Sequence, residues 1–128
     1  MNGISKLRLA AGLAAALCAL ASRAAEFMII VQRSPLAGFR HYDAREVWRA
    51  VRPGDRLELV REPDNPYDPN AVRVEWRGRK LGYLPRRENG AVARQLDRGA
   101  PLGARVALVR ENRNRSVRVE VEVVASLQ

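Results

Sequence analysis

Valines at positions 117, 119, 121 and 123 alternate with Arg118, Glu120 and Glu122, the period of two that marks a strand with one dry face and one wet face. Leu102–Arg110 precedes it, and Asn112-Arg113-Asn114 supplies the turn, so Leu102–Arg110 and Ser116–Val124 are expected to pair. Val72, Val74 and Trp76 alternate in the same way with Arg73 and Glu75. Arg77-Gly78 then turns the chain into Lys80–Leu84, and Pro85 closes what reads as a β-hairpin. Asp55–Arg61 sets Leu57 and Leu59 on one face against Arg56, Glu58 and Val60. Glu26–Arg33, with the sequence EFMIIVQR, is apolar and β-branched and predicts a buried first strand, and Leu36–Tyr42 reads as a second extended segment. Helical spacing occurs twice. Asp43-Ala44-Arg45-Glu46 fits a capping box, in which Asp43 accepts from the N–H of Glu46 and Glu46 reaches back; Trp48 and Val51 follow on one face until Arg52-Pro53-Gly54 stops the turn. Glu88–Arg98 carries Val92 and Leu96 one turn apart and ends at Gly99. Residues 26–126 thus read as one mainly β domain, a small twisted barrel or curled sheet of about six strands with one helix and a short helical turn.

The first segment has a different character. Lys6 and Arg8 precede Leu9–Ala21, thirteen uncharged residues, and Ser22-Arg23-Ala24-Ala25 follows. A basic start, a short apolar run and small residues before a cut describe a secretory signal peptide, residues 1–24, cleaved after Ala24 or, on the same rule, after Ala21. The run is shorter than the roughly 20 residues that span a bilayer, so no stable membrane span is expected after processing. This places residues 25–128 in the periplasm or outside the cell; the alternatives are an uncleaved anchor, or a cytoplasmic protein whose start site lies further in.

Composition narrows the chemistry. The chain of 128 residues carries a formal charge of +9, and beyond residue 24 every basic residue except Lys80 is arginine. Arginine forks onto phosphate and stacks on bases, so a polyanionic partner fits, although genome composition gives the same bias. The only cysteine, Cys18, lies in the apolar run, and His41 is the only histidine. A thiolate nucleophile, a disulfide in the processed chain, a cysteine-ligated zinc and a two-histidine metal site are all excluded. Ser34, Ser116 and Ser126 lie outside any nucleophile-elbow sequence, and no glycine-rich phosphate loop is present. No cofactor, metal site or catalytic residue is expected.

The segment Glu62–Asn70 is too polar and too rich in proline, at positions 63, 66 and 69, to be a mere connection. A stiff loop loses little entropy when it binds, which suits a recognition site. Three readings apply to it. Asp64 and Asn70, with Asn65 and Asp68, form turns that satisfy their own backbone; or Glu62, Asp64, Asp68 and Asn70 hold a hard cation, in a spacing unlike an EF-hand; or Tyr67 and Asp68 together form a ligand site. Trp48 and Trp76 read as core, and Arg113 and Arg115 as solubilising charges in a turn. The cluster Arg77, Arg79, Lys80, Arg86, Arg87 reads as a solvated face or as a binding surface.

The run REPDNPYDPNAVRVEWRGRKLGYLPRRENGAVARQLDRG at Arg61–Gly99, with Gly38-Phe39-Arg40-His41-Tyr42 and Pro53-Gly54-Asp55 upstream, resembles the HIRAN domain over nearly the whole of residues 25–128. The resemblance implies an OB-like or SH3-like β-barrel that binds single-stranded DNA at its 3′-hydroxyl end without enzymatic activity. It implies that Tyr67 stacks on the terminal base, that Asp68 accepts from the 3′-hydroxyl, and that Asn65 shapes the pocket. Arg40 and Tyr42 match the segment that meets the DNA backbone and bases, and Arg86 matches a phosphate contact. Tyr83 stands at a position that is histidine in some relatives, and reads equally as a surface aromatic. His41 replaces a stacking aromatic, and no counterpart of the late apolar wedge of some members is evident. An exported interaction module for an anionic envelope polymer or a protein is the second reading. A metal-dependent hydrolase using the acids of Glu62–Asp68 is the third.

Overall fold

The computed structural model describes residues 27–127; the signal peptide read at residues 1–24 lies outside them. Six antiparallel strands form one sheet: β1 (Phe27–Pro35), β2 (Arg56–Glu62), β3 (Ala71–Trp76), β4 (Arg79–Tyr83), β5 (Leu102–Glu111) and β6 (Val117–Leu127). Their order is β1-β6-β5-β2-β3-β4. Between β1 and β2 lie a 3-10 turn (Phe39–His41) and a single helical turn, α1 (Ala44–Val47); between β4 and β5 lies α2 (Gly90–Asp97). The architecture is mainly β and OB-like, with the sheet curled but not closed by a strand pair. Among the described residues no helix is long and apolar enough to cross a membrane.

The alternating patterns place the core. Val119, Val121 and Val123 of β6 are buried with Leu57 of β2, Val72, Val74 and Trp76 of β3, Leu81 of β4 and Val106 of β5. Val92 and Ala93 seal one end of this cluster from α2, and Val51 and Leu84 pack into it from loops. Truncating a fully buried leucine such as Leu57 or Leu81 to alanine would cost about 2–5 kcal/mol. The β3–β4 hairpin turns on Arg77 and Gly78, both with positive φ (48° and 77°). That is the mirror-image two-residue turn whose twist suits adjoining strands. Arg77 tolerates it with its guanidinium lying 4.5 Å over the Trp76 ring.

One bridge brings the curled sheet round onto itself. Ala37, just after β1, exchanges two backbone hydrogen bonds with Tyr83 at the end of β4, at 2.8 and 2.9 Å. Gly82 allows this approach: a Cβ there would lie 2.1 Å from the Ala37 carbonyl oxygen.

The structure corrects three expectations. Glu26–Arg33 is not a buried strand: Phe27 through Val31 are about half exposed or more, because among the described residues β1 lies at the edge of the sheet and pairs with β6 alone. Leu36–Tyr42 is not extended throughout, since after the Ala37 bridge the chain winds into the Phe39–His41 turn. The capping box does not form. Asp43 makes no side-chain cap; its carboxylate and that of Glu46 both take the Arg79 guanidinium, at 2.9 and 2.6 Å. A guanidinium fork offers charged donors to both acids, a stronger interaction than neutral backbone N–H groups.

Candidate functional site

The loop between β2 and β3 is stapled from within. Asn65 Oδ1 accepts from the N–H groups of Tyr67 (2.9 Å) and Asp68 (3.2 Å), and Asp68 Oδ1 accepts from the N–H of Asn70 (2.9 Å). These are Asx turns, built by Asn65 and Asp68 rather than by Asp64 and Asn70, whose side chains are exposed. Arg61 ties both ends of the segment down. It donates to the carbonyls of Ala71 (2.8 Å) and Pro69 (3.0 Å) and pairs with Asp97 of α2 at 2.8 Å. With three prolines also restricting φ, the loop holds one shape before any ligand arrives.

Tyr67 stands at its tip, 84 % exposed. An aromatic ring so displayed gains nothing from the core and offers a free face for stacking. Beside it, Asp68 Oδ2 accepts a 2.7 Å hydrogen bond from Asn89 Nδ2, whose side chain is only 1 % exposed. Asn89 precedes α2 and makes no side-chain cap to that helix. Its amide is spent instead on orienting a carboxylate twenty-one residues away. Each carboxylate oxygen has a second lone pair, so Asp68 retains capacity to accept from a ligand hydroxyl.

Glu62, at the base of the loop, is the hub that joins this half of the site to the other. Its Oε1 accepts from Asn65 Nδ2 (3.1 Å) and from the Tyr83 hydroxyl (2.9 Å), and its Oε2 accepts from Arg73 at 2.8 Å. Burial pushes the carboxyl of Glu62 up, but the hydrogen bonds from Asn65, Tyr83 and Arg73 outweigh it and leave the group below the ordinary carboxylate value. Burial and the Glu62 carboxylate together hold the Tyr83 phenol above its ordinary value. Lys80 Nζ donates to the Tyr83 oxygen at 2.7 Å and lies 4.0 Å from the centre of the Tyr42 ring. Tyr42 and Tyr83 meet edge to face at 5.6 Å. Asn65, Glu62, Tyr83, Lys80 and Tyr42 are therefore one connected set of contacts spanning the loop, β4 and the segment before α1. The acids of the loop do not converge: no group of three His, Cys, Asp or Glu side chains among the described residues could hold a metal ion. The cation reading of Glu62, Asp64, Asp68 and Asn70 is corrected accordingly.

Arg40 and His41 are exposed on the 3-10 turn and line a groove whose wall includes none of Tyr42, Tyr67 and Asp68. Arg86 is exposed just past Pro85. The basic cluster divides by partner: Arg79 is committed to Asp43 and Glu46, Arg77 to Trp76 and Lys80 to the tyrosines, which leaves Arg86 and Arg87 as exposed charges. Trp76 is core, with its indole N–H on Asp55 at 3.1 Å. Trp48 departs from the core reading, being half-buried and open to the groove. Asn89 is a site residue that sequence patterns did not single out. An asparagine before a helix reads as a cap, and nothing local points it at Asp68.

The HIRAN domain family profile matches residues 29–128. A crystal structure of a protein from Lactobacillus plantarum superposes with a TM-score of 0.70 at 24 % identity, covering 81 % of this chain and all of that one. The crystal structure of the HIRAN domain of human HLTF superposes with a TM-score of 0.62, also at 24 % identity, covering 79 % of this chain and 78 % of that one. Both likenesses are of fold. No curated protein matches the sequence significantly.

Proposed function

The chain belongs to the HIRAN domain family, a family of DNA-binding modules, and on that premise we propose that it is a non-enzymatic module that binds single-stranded DNA at its 3′-hydroxyl end. The observation that carries this reading is the pairing of an 84 % exposed Tyr67 with an Asp68 carboxylate held by the buried Asn89 amide. Tyr67 stacks on the terminal base, a sequence-tolerant contact worth about 1–3 kcal/mol. Asp68 accepts from the 3′-hydroxyl, and a 3′-phosphate is rejected because two anions would be forced together. Asn65 fixes the backbone that carries both residues. Arg40, His41, Tyr42 and Arg86 meet the backbone and bases of the strand as it leaves the pocket, and Tyr83 supports Tyr42 from behind.

The test is fluorescence anisotropy of Asp68→Ala against matched oligonucleotides ending in a 3′-hydroxyl or a 3′-phosphate. Weaker binding of the hydroxyl end alone, with little change for the phosphate end, is expected. Equal loss on both ends removes the assigned role of Asp68. The leader read at residues 1–24 adds that the module is exported. A product beginning at Ala25 in a periplasmic fraction supports that part, and intact chain in the cytosol counts against it.

A further inference from the structure

The groove that Arg40 and His41 line is larger than those two residues need. It measures about 790 Å³ and is walled by the Phe39–His41 turn, by Arg45, Trp48 and Arg49 of α1 and the turn after it, and by Asn114–Val117 of the β5–β6 turn. A space of that size takes a drug-sized ligand or larger. Its wall contains no acid. The two acids nearest in sequence, Asp43 and Glu46, lie outside this wall and share the single guanidinium of Arg79. Arg40, Arg45, Arg49 and Arg115 form no ion pair among the described residues, and all four are exposed. Trp48 lies among them with the Arg49 guanidinium 5.2 Å from its ring centre. Arg115, in the left-handed conformation at φ 63°, is delivered to this wall from a turn distant in sequence. Unpaired arginines interleaved with an accessible indole make a surface for a chain of phosphates and bases.

We propose that this groove is a second subsite, which holds the strand on the 5′ side of its terminal nucleotide: Arg45, Arg49 and Arg115 grip phosphates, and Trp48 stacks on a base. The proposal rests on the terminal-pocket reading above, and Arg40 and His41, beside Tyr42, form the link between the two subsites. Arg49 lies over the Trp48 ring, so a base would stack on the opposite face or displace the guanidinium.

The experiment compares the full chain with Arg49→Ala/Arg115→Ala and with Trp48→Leu, which keeps apolar bulk beside the core. Anisotropy is read on thymidylate dinucleotides and hexanucleotides with a 3′-hydroxyl, and on a hexanucleotide with a 3′-phosphate, across a salt series. The wild type should bind the hexanucleotide more tightly than the dinucleotide. The double variant should lose that gain, and its slope of log K against log salt on the hexanucleotide should fall by about 1.4, at roughly 0.7 per phosphate contact. Trp48→Leu should lose about 5-fold or more on the hexanucleotide alone. Dinucleotide affinity and the preference for a 3′-hydroxyl should be unchanged in both variants. Retention of either the length gain or the salt slope by the double variant overturns the subsite. Equal binding of 3′-hydroxyl and 3′-phosphate hexanucleotides by the wild type overturns the terminal pocket instead. A slope still lowered by the double variant would then place the grip on the strand in the groove itself.

Discussion

Replacing Gly82 by alanine tests the link between the closing bridge and the site. The added Cβ would sit 2.1 Å from the Ala37 carbonyl oxygen and 3.2 Å from two carbons of the Leu36 side chain. Backbone cannot yield as a flexible side chain does, so the Ala37 and Tyr83 segments must part by about 1 Å or more to restore van der Waals contact. That separation breaks the two hydrogen bonds at 2.8 and 2.9 Å that form the bridge. At about 0.5–1.5 kcal/mol each, with about 1–3 kcal/mol for the overpacking, the loss sums to about 2–6 kcal/mol, so about 3 kcal/mol is a conservative expectation. For a domain of this size about 3 kcal/mol lowers Tm by about 12 °C or more. The consequence for binding is uneven. Ala37 leads directly into the turn bearing Arg40, His41 and Tyr42, whereas Tyr67 and Asp68 hang from β2 and β3 and are held by Arg61 and Asn89. Thermal unfolding followed by circular dichroism gives the first quantity, and anisotropy at a temperature where both proteins are folded gives the second. The variant should melt earlier, bind single strands more weakly and still prefer a 3′-hydroxyl. An unchanged Tm with unchanged affinity would refute the claim that this bridge positions the Arg40–Tyr42 segment.

Other outcomes follow from the same geometry. Tyr67→Ala removes a ring that is 84 % exposed, so urea unfolding should shift by no more than about 0.5 kcal/mol. The same variant should weaken 3′-end binding about 5- to 150-fold, the equivalent of about 1–3 kcal/mol; a large loss of stability would instead make Tyr67 structural. Asn89→Ala deletes a charge-assisted hydrogen bond from a buried amide and should cost about 1.5–3 kcal/mol of stability. It should also narrow the discrimination between 3′-hydroxyl and 3′-phosphate, and discrimination as sharp as wild type in titrations would show that Asp68 needs no such support. Glu62 lies below its ordinary value of 4.5 when folded. Its contribution is therefore fully present above that value and is lost as pH falls through the lower, folded one. Asp55 is shifted in the same direction by the Arg52 N–H and other contacts, so the informative quantity is the difference from Glu62→Gln. The wild-type Tm should fall more steeply than that of the variant below pH 4.5, and parallel acid limbs would remove Glu62 as the hub.

Much of the scaffold is legible in local pattern, because alternation reports directly which side of a strand is dry. Val119, Val121 and Val123 are buried as their spacing requires, the hairpin turns at Arg77-Gly78, and α2 occupies Gly90–Asp97 inside the run that ends at Gly99. Phe27–Val31 show where that logic stops. Hydrophobicity predicts burial, but burial needs a neighbour, and among the described residues β1 lies at the edge of the sheet with β6 alone beside it. Asp43 and Glu46 show the same limit for polar groups: their spacing is that of a capping box, yet Arg79 on the hairpin offers charge as well as hydrogen bonds and takes them both.

For the candidate site, the order of residues suffices to specify a proline-stiffened loop carrying Tyr67 and Asp68 and an excess of arginine, since backbone restriction and net charge are properties of the chain before it folds. Tertiary structure alone decided that Asn89 would orient Asp68, that Glu62 would tie Asn65 to Tyr83 and so to Tyr42, and that Arg115 would stand beside Trp48 and Arg49. Those partnerships join residues far apart in sequence. The strength of those around Glu62 and Asp68 comes from burial and mutual desolvation, which exist only after β2, β3, β4 and the start of α2 have been brought together.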